Sequence, residues 1–308
     1  MTVAGETIEP RLAAMRTELV GYAYRMLGSA AEAEDAAQET LVRAWRHAGT
    51  YDERRASLRT WVYRIATNIC VDMLRGAGRR ARAMDLGPAA TGGELGPPLP
   101  ESAWVQPILD ERAIPATADP AELAVQRESI RLAFVAALQH LPPRQRAVLI
   151  LRDVLVWRAE EVAGLLETTV PAVHSALQRA RSAMRHVPPA EPLDDDARKL
   201  LDRYCDAFAR YDVAAMVSLL HADATTSMPP FAWWLRGRET IRVALSHSDG
   251  SCAGAKLVPV AANGSLAAWQ YRGAERFALL VFETSGGRFT GITTFLMTNG
   301  GGTGDRPA

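Results

Sequence analysis

Between residues 87 and 120 the chain carries Pro88, Gly92, Gly93, Gly96, Pro97, Pro98, Pro100, Pro107 and Pro115. Neither a helix nor a central strand tolerates that density, because proline removes a backbone donor and fixes φ. An extended segment is therefore expected to divide the chain. A shorter stretch at 188–197, with Pro188, Pro189 and Pro192, divides it again. At 308 residues there is room for the three folded parts this implies, 1–86, 121–187 and 198–299. The Gly-rich end, 300–308, reads as a disordered tail.

Within the first part, apolar residues recur at helical spacing over 11–27 (Leu12, Met15, Leu19, Tyr22, Ala23, Met26) and stop at Gly28. Ser29 is placed to cap a second helix over 31–47, acidic at its start and carrying Arg43 and Arg46 near its end, as the helix dipole favours. A third is predicted over 58–76, with Trp61, Ile65, Ile69 and Met73 on its packing side and Arg64, Asn68 and Arg75 opposite. In the second part, helical stretches over 121–141 and 143–154 precede two short helices, 159–166 and 170–185, across the turn Glu167, Thr168, Thr169. That spacing is a helix-turn-helix. In the third part, Asp194, Asp195 and Asp196 can cap a helix start, and Leu200, Leu201, Tyr204, Phe208, Met216, Leu219 and Leu220 form one or two amphipathic helices. The period then changes. Residues 256–262, 266–272, 276–283 and 288–298 read as strands of an antiparallel sheet. The expected fold class is multidomain, two all-α domains followed by an α+β domain.

Lys and Arg together number 35 and Asp and Glu also 35, but the balance conceals blocks of opposite sign. Residues 6–53 hold five Arg and nine acids, and residues 54–84 eight Arg and one acid, Asp72. Residues 85–128 hold two Arg against eight acids, and residues 129–187 eight Arg against four. Every basic residue before Lys199 is Arg, which suits phosphate and base-edge recognition. No apolar run approaches the ~18 residues of a membrane helix, and residues 1–10 carry Glu6 and Glu9 without a hydrophobic run. The expectation is a soluble cytoplasmic protein with no membrane partner and no signal peptide. Cys70, Cys205 and Cys252 lie far apart, so reduced thiols are expected, with no metal site and no cofactor.

The segment Asp35-Ala-Ala-Gln-Glu-Thr-Leu-Val-Arg-Ala-Trp-Arg46, followed by Leu58-Arg-Thr-Trp-Val-Tyr-Arg-Ile-Ala-Thr-Asn-Ile69, resembles region 2 of the extracytoplasmic-function (group-four) class of sigma-70 factors. The match covers about residues 10–84. The resemblance implies that Asp35, Gln38, Glu39 and Arg43 dock on the clamp helices of the RNA polymerase β′ subunit. It also implies that Arg54, Arg55, Arg59, Arg64, Asn68 and Arg75 open and read the minus-ten element as single strand. Physically, Asp35, Gln38 and Glu39 share one helix face, which a merely solvated face would also explain. The arginine block, with Arg79 and Arg80, would neutralise phosphates, and the loop 48–57 with Tyr51 would supply stacking surfaces. Trp61 is assigned to the core, and Tyr63 is left open.

Leu141-Pro-Pro-Arg-Gln-Arg-Ala-Val-Leu149 and the helix-turn-helix after it look like sigma region 4, the reader of the minus-thirty-five element. Val173, Ala176, Leu177, Ala180 and Met184 form the packing side of its second helix. Base contacts are expected from Ala172, His174, Ser175 and Gln178, and phosphate contacts from Arg179, Arg181 and Arg185. The acidic segment before it resembles the family linker that runs through polymerase channels, with Asp110, Glu111 and Asp119 imitating phosphates. Trp104 beside Pro107 is either a docking anchor or a stray hydrophobe.

Residues 198–298 resemble the SnoaL-like, ketosteroid-isomerase-like cone-shaped α+β fold, through Tyr204-x-x-Ala-Phe208, the stretch from Asp212 to Ala224, and Trp234-x-x-Gly-Arg-Glu-x-Ile241. Such folds enclose an apolar pocket. Its candidate lining is Phe208, Met228, Phe231, Trp233 and Trp234 from the first half, and Trp269, Tyr271, Phe282 and Phe295 from the strands. Gln270, Thr293 and Thr294 would orient a ligand or simply pack. His221 and Asp223 are the nearby acid–base pair and are read as structural. The expected function is a promoter-specificity subunit of bacterial RNA polymerase, not an enzyme. Its partners would be core polymerase (β′ clamp and β subunits), promoter DNA and a small apolar ligand of the C-terminal domain, which modulates activity in cis. The alternative is a sigma-like protein fused to an active isomerase or hydrolase domain. A plain helix-turn-helix repressor is a third reading, opposed by the polymerase-docking motif.

Overall fold

A computed structural model of the chain describes residues 8–116, 119–184, 187, 191–246 and 254–297. It divides into two compact units. The helical unit comprises Met1–Arg82, Pro100–Ala190 and Ala262–Gly264, and the second unit Ala83–Leu99, Glu191–Ala261 and Ser265–Ala308. The expected tail at 300–308 lies outside the described residues, as does Cys252.

The helical unit opens with α1 (Glu9–Ala14) and α2 (Arg16–Leu27). Gly28, at φ 73°, stops α2 as expected, and Ser29 Oγ accepts the Glu32 amide to start α3 (Ala30–Arg46). Ser57 caps α4 (Leu58–Met73) in the same way. The packing side of α4 differs from expectation. Val62, Tyr63, Ala66, Ile69 and Cys70 are buried, whereas Trp61 and Ile65 are only half-buried.

Helix α5 (Pro120–Ile130) ends at Arg131, whose ψ of 143° breaks the single helix expected over 121–141, and α6 (Leu132–Leu138) resumes beyond it. Helix α7 (Pro143–Leu149) runs on into a π turn, Ile150–Val154. Helices α8 (Ala159–Leu165) and α9 (Val170–Ala183) form the helix-turn-helix, their turn passing through Glu167 at φ 52°.

The segment expected as an extended linker is instead folded. Trp104, Val105, Ile108 and Ala113 are buried in the helical unit. The Ala81 amide donates to Ala103 O and the Val105 amide to Ala81 O, the Gln106 amide donates to Gly28 O, and Tyr24 Oη donates to Gln106 O at 2.7 Å. The backbone approaches α2 so closely that a Cβ on Gly21 would lie 2.1 Å from Ala113 O. Residues 87–99 join the second unit, where the Ala90 amide donates to Trp234 O and the Leu99 amide to Pro230 O. Proline and glycine density excludes helix; it does not exclude packing.

The second unit is α+β. Asp194 and Asp212 cap α10 (Asp195–Ala209) and α11 (Val213–Ser218), and α12 (Arg238–Ser246) follows. The sheet is built of β1 (Leu220–Ser227), β2 (Trp234–Arg236), β3 (Lys256–Ala262), β4 (Ser265–Arg272), β5 (Glu275–Ser285) and β6 (Arg288–Leu296) in the order β2-β1-β6-β5-β4-β3. The last four strands match the sequence reading. The sheet is mixed rather than antiparallel, because β1 pairs parallel with β6. Leu200, Leu201, Tyr204 and Phe208 of α10 pack with Leu266, Leu280, Phe282 and Ile292 of the sheet in one core.

Among the described residues, no helix is long and apolar enough to cross a membrane, and no group of His, Cys, Asp or Glu could hold a metal ion.

Candidate nucleic-acid interface

Helix α3 buries Ala33, Ala36, Ala37, Thr40 and Ala44 and turns the other face outward. On that face Asp35, Gln38 and Arg43 are exposed, and Glu39, half-buried, accepts from Arg43 Nε at 2.6 Å. Trp45 is 55% exposed, its Nε1 donating to Glu9 at 2.6 Å. It lies seven residues, two turns, from Gln38 and so extends the same side of the helix. The sequence reading did not single out Trp45, although an aromatic two turns from Gln38 was the available signal.

The basic block around α4 separates into exposed residues and engaged arginines. Arg55 and Asn68 are exposed. Arg54 forks onto Asp52, whose carboxyl is held below its ordinary range by those hydrogen bonds, and Arg75 pairs with Asp72 at 2.9 Å. Arg59 Nε donates to Glu18 at 2.7 Å, with its guanidinium 5.5 Å from the centre of the Tyr63 ring and 5.1 Å from that of Trp157. Arg64 Nη2 donates to Gly164 O at 2.9 Å, and its Nη1 lies 3.8 Å from Glu167. Arg79 meets His140 at 3.1 Å. Arg80 is buried against Glu32, Glu101 O and Trp104 O, which withdraws it from the phosphate role expected of it.

The aromatic groups also rearrange the expectation. Tyr51 and the half-buried Trp61 pair at 5.2 Å with planes 32° apart, beside the exposed arginines of the loop. Tyr63, left open by the sequence, is fully buried: its Oη donates to Glu18 at 2.6 Å and its ring meets Tyr22 and Trp157 at 5.1 and 5.0 Å. Burial raises its phenol well above the ordinary value.

Thr169 Oγ1 accepts the Ala172 amide to start α9, and Val173, Leu177 and Ala180 anchor its inner face. Ala172, His174, Ser175, Gln178, Arg179 and Arg181 are all exposed, on a helix without an acid. Arg181 forks onto Asp153 at 2.6 and 2.8 Å, which raises its pKa and fixes it to the π turn. Arg185 lies outside the described residues.

The expected pocket residues do not gather at one place. Phe208 and Phe282 fill the core, where Tyr204 meets Phe282 at 5.2 Å and Phe282 meets Phe289 at 5.0 Å. Trp269 and Phe295 both register with Leu279, on the opposite sheet face from Leu280 and Phe282. Met228, Phe231 and Tyr271 are half-buried. Trp233 and Trp234 donate through Nε1 to Gly92 O and Gly87 O, so they hold the chain's own backbone. Gln270 is buried, and Ser227 Oγ donates to Thr293 Oγ1 at 3.3 Å, while Thr294 is half-buried. His221 and Asp223 are exposed on β1.

The family models of sigma-70 region 2 and sigma-70 region 4 match residues 12–80 and 131–184. The ECF RNA polymerase sigma factor SigG of Mycobacterium tuberculosis is 43% identical over 298 residues, covering 92% of this chain and 79% of its own. SigJ of the same organism is 32% identical over 214 residues, covering 69% of this chain and 62% of its own. The crystal structure of SigJ superposes with a TM-score of 0.60 at 22% identity, over 94% of this chain and 96% of that one.

Proposed function

Because the chain belongs to the extracytoplasmic-function RNA polymerase sigma factors, we propose that α3 docks core polymerase through Asp35, Gln38, Glu39, Arg43 and Trp45, that the loop 51–57 and α4 read the melted minus-ten strand, and that α9 reads the minus-thirty-five duplex. The observation that carries this reading is the outward face of α9. Six consecutive outward positions are polar, small or cationic, none is acidic, and all are exposed. Duplex recognition needs that surface, with small and hydrogen-bonding residues at base edges and arginines at phosphates.

Engagement of a promoter requires a rearrangement. The two elements are separate stretches of promoter, and duplex extends ~3.4 Å with every pair between them. In this structure α4 touches the helix-turn-helix through Arg64 and Gly164, and Trp157 seats on Tyr63. The helical unit is thus a closed form in which both readers share one core, and binding selects an open form. The second unit acts in cis on that equilibrium. Its interior, filled by Tyr204, Phe208, Phe282 and Phe289, supports a regulatory role.

Multi-round transcription with core polymerase and a promoter selected from a random library tests the reading. The full chain should give promoter-dependent transcript, and Gln38→Ala with Glu39→Ala should lower affinity for core at least about tenfold, since each removes a polar interface contact. Unchanged core affinity in a folded double variant would remove the docking assignment.

A further inference from the structure

Two kinds of contact are available on α4. Arg59 and Tyr63, one helical turn apart, are both tied to Glu18 of α2, Arg59 Nε donating to its carboxylate at 2.7 Å and Tyr63 Oη at 2.6 Å. With those polar atoms engaged, the guanidinium and the phenol ring have flat faces left to offer, and the guanidinium stands 5.5 Å from the ring centre. Arg64, one residue on, offers donors to an anion instead.

Region 4 covers both. The indole of Trp157 lies 5.0 Å from the Tyr63 ring and 5.1 Å from the Arg59 guanidinium. Its Nε1 is buried with no acceptor among the described residues, so the indole is held by its ring and not by that donor. Beside it, Arg64 Nη2 donates to Gly164 O at 2.9 Å, a carbonyl in the last turn of α8, where a helix runs out of donors. Glu167 lies 3.8 Å from Arg64 Nη1. It occupies its turn at φ 52°, where the Thr168 amide donates to Ala163 O across it to close α8. Glycine takes that conformation freely and an L-residue at a cost, yet the position carries a carboxylate, and the carboxylate reaches Arg64. Glu18, Arg59, Tyr63 and Arg64 lie in the region 2 match, Trp157, Gly164 and Glu167 in the region 4 match, and all seven in the one helical unit.

A flat ring on the stacking pair and an anion at the neighbouring arginine are the two parts of a nucleotide. We propose that region 4 masks the minus-ten surface by imitating one nucleotide of the melted strand, Trp157 in the place of its base and Glu167 in the place of its phosphate. The proposal rests on the reading of α4 as the minus-ten surface and names what fills that surface in the closed form. Masking and reading then exclude each other at single side chains. The imitation is incomplete, which lets the strand prevail. Arg64 Nε is buried with no acceptor among the described residues, and Glu167 at 3.8 Å is beyond hydrogen-bond reach, whereas a phosphate brings several acceptor oxygens.

The test uses the full chain and a fluorescent single-stranded oligonucleotide carrying the minus-ten element of the selected promoter, with affinity read by anisotropy. Glu167→Gly removes the carboxylate and suits the turn; Trp157→Leu keeps an apolar side chain and removes the indole. Affinity should rise at least about twofold in Glu167→Gly and at least about threefold in Trp157→Leu, because apparent affinity scales with the open fraction. A turn merely relieved of strain would be more heat-stable and bind the strand no better, so thermal unfolding is measured beside each isotherm. Arg55→Ala and Asn68→Ala, at exposed positions of the reading surface, are measured in the Glu167→Gly background. If either folded variant binds no tighter than the parent while Arg55→Ala or Asn68→Ala weakens binding, the imitation is overturned and the minus-ten reading survives. If neither Arg55→Ala nor Asn68→Ala weakens binding, the surface does not read the strand and both fail. Should circular dichroism show Trp157→Leu unfolded, Glu167→Gly decides alone.

Discussion

Val156 is the β-branched residue among the described non-glycine residues at positive φ, which include Glu167, Tyr211 and Asn263. It is 78% exposed and sits at φ 55°, between the π turn and α8. The Leu155 amide closes the π turn on Ile150 O, and the left-handed conformation of Val156 lets the Trp157 amide reach Leu151 O, ending the helix as a glycine would. For an L-residue that conformation costs about 1–2 kcal/mol, and a β-branched residue lies at the upper end. Val156→Gly removes this strain and forfeits little burial, and the larger unfolded-state freedom of glycine takes back about 0.5–1 kcal/mol. The expected net gain is about 1 kcal/mol, about 2–4 °C in the transition of a unit of this size. Val156→Ala keeps a Cβ at positive φ and should change stability by less than about 0.5 kcal/mol. Calorimetry of the full chain, with exchange at the Leu155 and Trp157 amides to localise the effect, makes the comparison. If the glycine variant is no more stable than the alanine variant, strain at this turn is not what sets its stability.

Arg179→Ala should weaken duplex promoter binding and reduce the salt slope by about one, read from binding isotherms at several salt concentrations. Arg181→Ala should instead lower thermal stability of the helical unit, because its fork on Asp153 ties α9 to the π turn; an equal loss of salt slope in both variants would refute this division of roles. Trp157→Ala should increase protease sensitivity of the α4–α8 contact and raise affinity for a single-stranded minus-ten oligonucleotide, and lower affinity would show that Trp157 does not cover the reading surface. Burial raises the Asp110 carboxyl, with the Gly264 amide and Arg127 opposing. Its contribution to stability is therefore fully present below the ordinary carboxylate range and is lost as pH rises through its raised pKa. Asp110→Asn, which keeps an oxygen for Gly264, should thus be more stable than the parent at neutral pH, and the two should converge in acid, as urea titrations across pH would show.

Local signals in the sequence carried furthest where one residue decides a conformation. Gly28 and Ser29 end one helix and begin the next, Asp194 caps α10, and the change of period locates the last four strands. Where partners are remote, the sequence is silent. Helix α4 is packed from two sides, by α2 and by Trp157, so its buried face centres on Tyr63 and not on the single stripe through Trp61 and Ile65. Strand β1 carries a polar sequence and exists because β6 and β2 pair with it on either side. Trp104 reads as an anomaly among prolines and is buried because Ala81 and Val105 pair beside it. Arg80, counted with the phosphate ligands, is buried because the carbonyls of Glu101 and Trp104 come to meet it. The outward face of α9 was legible because an amphipathic helix needs no distant partner to define it.

The joint within the helical unit is made in an unusual currency. Arg25 and Arg146 are 1% and 4% exposed, and burial lowers both to about 10. Arg25 of α2 donates to Ser129 Oγ, Gln126 O and Gln126 Oε1 of α5, and Arg146 of α7 donates to Met26 O of α2 as well as to Gln139 and Leu141. None of these acceptors is a carboxylate, in contrast to Arg80, which pairs with Glu32. A buried cation on neutral acceptors pays desolvation without the attraction of an opposite charge. Because both pKa values are lowered but still lie near 10, that penalty opposes closure at every pH below this range, so proton uptake at physiological pH does not switch the joint. When it parts, the guanidinium of Arg25 regains its hydration and the abandoned amide and hydroxyl acceptors take water in its place. An acid at either position would have left a second charge to resolvate and would have made closure harder to reverse. The joint is therefore fixed in register by specific hydrogen bonds without an opposite charge to deepen it, which is what the proposed separation of the two reading elements would require.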